Sequence, residues 1–153
     1  MRRTLITLAF LGASAILAHA DTEWNGSLCF NSATPQCTAA GWNPNGCFNI
    51  RYAPRNVGAN GPDTELSLFN PGFAAGFRLA SGNPVSSTPY TVTIAKVARG
   101  GYTYPVGFRF ATQIPAVPTL TTATISMTGF FTDWDQIAGC TYGFRAAATL
   151  NAP

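Results

Sequence analysis

The feature that most constrains this chain is a strict alternation of apolar and polar side chains. Tyr102, Tyr104, Val106, Phe108 and Phe110 fall on one face of an extended segment, with Thr103, Pro105, Gly107 and Arg109 on the other. That period of two belongs to a half-buried β-strand. Tyr142, Phe144, Ala146, Ala148 and Leu150 alternate in the same way against Thr141, Arg145 and Thr149. So do Phe73, Ala75, Phe77 and Leu79, then Val92 with Ile94, Ala123 with Ile125 and Met127, and Phe48 with Ile50 and Tyr52. Shorter runs around residues 28–30 and 65–69 bring the count to about eight strands. Asn43-Pro44, Asn45-Gly46, Asn60-Gly61, Asn70-Pro71, Asn83-Pro84 and Gly100-Gly101 mark turns between them. Residues 96–102 read as a hairpin. Pro105 has no N–H for a ladder, which places it on an edge or at a bulge. No stretch sustains a helical period, and a single helical turn within residues 133–139 is the only helix expected.

Strands with one apolar and one threonine-rich face build sheets that bury one side. The expected fold is therefore all-β: about eight short antiparallel strands in a disulfide-bonded two-sheet sandwich, immunoglobulin-like or jelly-roll-like. The segment Ile137-Ala138-Gly139-Cys140-Thr141-Tyr142-Gly143-Phe144-Arg145 resembles the approach to the penultimate strand of immunoglobulin-like and fibronectin type III sandwiches. The resemblance implies that Tyr142 forms a tyrosine corner.

Residues 1–20 have the form of an export signal. Met1-Arg2-Arg3 is basic, residues 5–17 are an apolar run shorter than a membrane span, and Ala18-His19-Ala20 is a small-x-small cleavage site. Cleavage there leaves residues 21–153 as a single domain that is secreted or periplasmic, with no membrane span. In an oxidising compartment the even set Cys29, Cys37, Cys47 and Cys140 reads as two disulfides. The spacings lack the short pairs of a zinc ribbon. Of the three possible pairings the expectation leans to Cys37–Cys47 and Cys29–Cys140. The long bridge would tie the first strand to the last and remove about 4 kcal/mol of unfolded-state entropy.

Composition excludes several function classes. Without residues 1–20 the chain has seven basic and six acidic residues and one lysine, Lys96. Such a balance does not suit a phosphate-backbone binder, so no nucleic-acid partner is expected. The one histidine, His19, lies in the signal. Histidine-based acid–base chemistry, histidine-activated nucleophiles and histidine metal sites are thereby removed. No nucleophile elbow, phosphate loop or dinucleotide fingerprint occurs, and no cofactor is expected.

Two octapeptides eighteen residues apart, Trp24-Asn25-Gly26-Ser27-Leu28-Cys29-Phe30-Asn31 and Trp42-Asn43-Pro44-Asn45-Gly46-Cys47-Phe48-Asn49, match at five positions. Trp134 stands at a similar remove before Cys140. These tryptophans either shield disulfides or form an exposed row that stacks on sugar rings, assisted by Asn25 and Asn43. Asp133 and Asp135 are i, i+2 carboxylates around an indole. On a strand both would share one face, the arrangement a glycan hydrolase needs. Asn60, Asp63 and Glu65 lie in an oxygen-rich stretch that reads as a Ca²⁺ loop or as a plain turn with Asn and Gly at positive φ. The arginines are scattered over separate strands as solvent-facing residues that discourage edge pairing.

The expected function is that of an exported, non-catalytic module that binds a protein partner or a glycan by surface contact. Alternatives are a small hydrolase using Asp133 and Asp135, a fibre subunit completed by a donated strand after Leu150, and an eight-stranded outer-membrane barrel with apolar residues facing lipid. The sequence sets no oligomeric state.

Overall fold

The computed structural model describes residues 22–79, 93–99 and 102–151, the stretch 93–99 by its backbone. The expected export signal, Asp21, Val92, the turns expected at Asn83-Pro84 and Gly100-Gly101, and the side chains of Ile94, Lys96 and Arg99 therefore lie outside the described residues. Eight strands follow one another: β1 (Trp24–Ala33), β2 (Cys47–Ala53), β3 (Thr64–Asn70), β4 (Phe73–Leu79), β5 (Thr93–Arg99), β6 (Tyr102–Ile114), β7 (Thr124–Thr132) and β8 (Thr141–Leu150). A short helix, α1 (Pro35–Ala39), interrupts the β1–β2 connection, and a 3₁₀ turn, Trp134–Gln136, precedes β8.

Each strand pairs antiparallel with its neighbour in sequence, and β8 returns to pair with β1 from Trp24↔Leu150 to Ala33↔Tyr142. The fold is thus one curled antiparallel sheet, closed where its first and last strands meet. The two-sheet sandwich is corrected on this point. Period-two alternation fixes which face of a strand is buried, and a curled sheet satisfies that as well as two stacked sheets do. Among the described residues the shortest register is that of β4–β5, Gly76↔Ala98 to Arg78↔Lys96. Among the described residues β8 is paired on both flanks. A donated strand would need an open edge there, so the fibre-subunit reading loses its premise. Pro105 lies on the stretch of β6 that extends past the end of β7 and is paired on the β5 side. It therefore occupies an edge-like position, while the β6 bulge falls between Phe110 and Thr112.

The inward faces fill the barrel. Leu28, Phe30, Ile50, Leu66, Leu68, Phe77, Val106, Phe108, Phe110, Met127, Phe131, Phe144 and Ala146 are all buried. Phe131 sits at the centre, its ring 4.8–5.2 Å from those of Phe77, Phe108, Phe144 and Trp134. An eight-stranded barrel has an interior just wide enough for side chains, and aromatic rings occupy it here. Outward positions carry Asn25, Ser27, Asn49, Arg51, Glu65, Arg78, Ser126, Arg145 and Thr149. That polarity is the inverse of an outer-membrane barrel, which faces lipid with apolar residues and its lumen with polar ones.

Both disulfides form, but not in the pairing the spacing favoured: the bridges are Cys29–Cys47 and Cys37–Cys140. The reason is register. Phe30 and Phe48 point inward, so Cys29 and Cys47 point outward, and they face each other directly across β1 and β2. Cys37 and Cys140 are both fully buried at the barrel end where α1 meets the approach to β8. Helix α1 was not expected. Its five residues are too few to show a helical period, and Pro35 in its first turn is its main sequence mark. The tyrosine corner is also corrected. The Tyr142 hydroxyl donates to the Asn43 carbonyl at 3.3 Å, in the β1–β2 connection and not a few residues upstream.

Candidate functional site

The structure separates the residues that the sequence grouped. Trp24 is fully buried at the barrel end that holds the start of β1, and its indole N–H donates to the Thr122 carbonyl at 2.8 Å. Trp134 is buried at the other end, in edge-on contact with Phe30, Tyr142 and the half-buried Trp42. The three indoles therefore close the two mouths of the barrel from inside, and the exposed stacking row is corrected. Trp42 and Trp134 pack with Phe73 at the Cys37–Cys140 end, where the Trp42 backbone N–H donates to the Cys37 carbonyl and the Trp134 backbone N–H to the Cys140 carbonyl, each at 3.1 Å. Asn43 turns its side-chain oxygen to the Asn45 N–H at 2.9 Å, a local turn contact. Asn25 and Asn43 are the exposed members of this set, Asn25 on the outer wall of β1.

Asp133 and Asp135 do not share a strand face. Asp133 immediately precedes the 3₁₀ turn and Asp135 lies within it, with φ of 55° and 53°, and Gln136 ends it at 64°. Three left-handed residues that are not glycine within four positions make this a sharply turned connection. The Asp133 carboxylate accepts the Gly139 N–H at 2.9 Å, and Asp135 accepts the Tyr104 hydroxyl at 3.4 Å. The first of these contacts closes the turn itself. The i, i+2 spacing that suggested paired catalytic acids is the spacing of this turn, with buried Trp134 between them.

The oxygen-rich stretch is likewise structural. The Asn60 amide donates to the Thr22 and Pro54 carbonyls, and its oxygen accepts the Thr22 N–H at 2.7 Å. Asn56 and Gly58 take positive φ of 54° and 59°, the plain-turn geometry. Asp63 and Glu65 converge on Arg78, at 2.7 and 3.6 Å. Both carboxylates thus face a guanidinium, while the Asn60 side chain is engaged with Thr22 and Pro54. Glu23 pairs with Arg51 at 2.6 Å.

What the sequence did not single out is the connection between β6 and β7. Together with Ile114, the last residue of β6, it carries three of the five large apolar side chains most exposed among the described residues: Ile114 at 68%, Val117 at 74% and Leu120 at 59%. This loop is held from beneath. The buried Tyr52 hydroxyl donates to Gln113 Oε1 at 2.8 Å, and Gln113 Nε2 donates to the Pro115 and Ala116 carbonyls at 3.2 Å each. At its far end the Thr119 N–H donates to Thr122 Oγ1, the Thr122 N–H returns to the Thr119 carbonyl, and the Trp24 indole fixes Thr122. Burial drives the Tyr52 hydroxyl well above the ordinary tyrosine value, only partly offset by its bond to Gln113, so it stays a neutral donor.

Beside this loop the outer wall is hollowed into a groove of about 760 Å³ across β1, β7 and β8, with Ile114 and Pro115 at its rim and Asn25, Ser27, Ser126 and Ala147 among its lining. Gly26 allows β1 and β8 to approach closely in the wall of this groove: a Cβ there would collide with the Ala147 carbonyl and the Ala148 backbone. The lining holds no charged residue. No protein-family model, curated protein or solved structure matches this chain. The signal that could have found the site is local: Ile114-Pro115-Ala116-Val117-Pro118-Thr119-Leu120 is apolar yet has neither strand nor helix period.

Proposed function

We propose that this chain is an exported, non-catalytic binding module, secreted or periplasmic, that docks a protein partner on the 114–120 loop and the adjoining groove. The observation that carries this reading is the exposure of Ile114, Val117 and Leu120 within the 114–120 stretch, beside the groove that Ile114 and Pro115 help to line. Exposed apolar side chains gathered at one place, rimmed by polar residues, mark interaction surfaces. The clamps from Gln113, Thr122 and Trp24 pre-order the loop, which lowers the entropy lost on binding. A protein is favoured over a glycan because Trp24 and Trp134 are buried and the groove lining contains no aromatic residue. Two disulfides suit the oxidising compartment that export implies.

The test is site-specific photo-cross-linking in the native compartment. A cross-linking residue at Val117 should yield a discrete protein adduct, and one at Ser67, on β3, should not. The triple variant Ile114→Ser, Val117→Ser, Leu120→Ser should keep the fold and compete poorly for that partner. Equal labelling from both positions, or tryptophan emission that shifts with a glycan, would refute the reading.

A further inference from the structure

The two disulfides differ in a way that assigns them different chemistry. Cys37 and Cys140 have no exposure, whereas Cys47 is exposed and Cys29 half-buried on the outer wall. We propose that Cys29–Cys47 is a thiol–disulfide exchange site for low-molecular-weight thiols, with Cys37–Cys140 the permanent bridge. Exchange requires an attacking thiolate to reach a bridge sulfur, and access governs which bridge reacts. Here the attack falls on Cys47 Sγ. A bond forms between that sulfur and the incoming one, the bond between Cys47 and Cys29 breaks, and Cys29 departs with the electron pair as a thiolate. A second thiolate then attacks the sulfur of the first reagent molecule, freeing Cys47 as a thiolate and releasing the reagent's disulfide. The two electrons come from the two thiols, and their protons pass through solvent to the thiolates left behind.

Arg145 stands directly across from Cys29 in the β1–β8 register and is exposed on the same outer wall. A neighbouring guanidinium favours the thiolate and so eases departure of Cys29. The outward neighbours along these strands are Ser27, Asn31, Asn49 and Ala147, with Thr128 beyond Arg145, and none is a carboxylate. The bridge is also dispensable to the topology. It closes a separation of 18 residues between strands already laddered from Trp24↔Tyr52 onward, against 103 residues for the buried bridge.

The experiment treats the purified disulfide-bonded protein with graded reduced glutathione, traps thiols by alkylation and maps the labelled peptides. Cys29 and Cys47 should be labelled about tenfold or more faster than Cys37 and Cys140, with far-ultraviolet dichroism unchanged. Arg145→Gln should slow the opening several-fold while Arg51→Gln leaves its rate unaltered. Cys29→Ser/Cys47→Ser should fold and show no labelling at the same glutathione concentrations. Opening of both bridges together, of Cys37–Cys140 first, or of neither without denaturant overturns the assignment. An Arg145→Gln rate equal to that of the unmodified protein overturns the part given to Arg145.

Discussion

Tyr52 shows how a single buried hydroxyl links the interior to the outer surface. It lies in the core, yet its one hydrogen bond fixes the amide that supports the 114–120 loop. Tyr52→Phe strands the Gln113 carbonyl oxygen, so stability at pH 7 should fall by about 1–3 kcal/mol. The pH dependence follows from burial, which raises the hydroxyls of Tyr52 and Tyr142 above their ordinary value of 10.0. Above that pH the unfolded chain has lost protons that the folded chain keeps. The stabilisation is therefore complete below pH 10 and lost as pH rises, at up to about 1.4 kcal/mol per pH unit for Tyr52, whose shift is the large one. Urea midpoints at pH 7 and pH 11 check both points: the gap between Tyr52→Phe and the unmodified protein should shrink at the higher pH. A gap that stays constant would show that the Tyr52 proton is not retained on folding.

At the level of elements the bridges and the strands make separate demands. Cys37–Cys140 fastens α1 to the start of β8 and holds the indole-lined mouth shut, while Cys29–Cys47 joins two strands already paired. In the chain-entropy account the longer loop is worth about 4.7 kcal/mol and the shorter about 3. Cys37→Ser/Cys140→Ser should thus cost more than Cys29→Ser/Cys47→Ser in equilibrium unfolding; equal losses would contradict the division. The strands themselves were legible because alternation is a local signal: β2, β4, β6, β7 and β8 all contain the runs that announced them. The correct pairing of Cys29 was legible too, had the parity set by Phe30 and Phe48 been weighed above loop entropy. The 3₁₀ turn was readable from residues 133–139, whereas α1 is too short to leave a period. The stretch 114–120 escaped because Ile114 reads in sequence as one more inward strand residue. The bulge between Phe110 and Thr112 shifts the parity by one, so Gln113 points in and Ile114 points out.

The closure of the sheet decides what kind of object the whole molecule is. Alternation alone fits a sandwich, a water-facing barrel or a lipid-facing barrel, since each buries one face of every strand. Partner strands decide between the first two, and polarity between the last two. With rings such as Phe77, Phe108, Phe131 and Phe144 stacked within and Arg51, Arg78 and Arg145 without, the apolar surface is spent on the interior. Phe131 joins the walls of that interior, with ring neighbours from β1, β4, β6, the 3₁₀ turn and β8. Phe131→Ala removes a central ring that neighbours on opposite walls cannot replace without opening the ladder, and should cost about 3–5 kcal/mol. The loss should be shared by the whole barrel: near-ultraviolet dichroism and tryptophan emission should report one transition with one lowered midpoint, because Trp24 and Trp134 lie at opposite mouths of the same packed column. Two separated transitions would mean that the mouths unfold independently and that the rings do not join them.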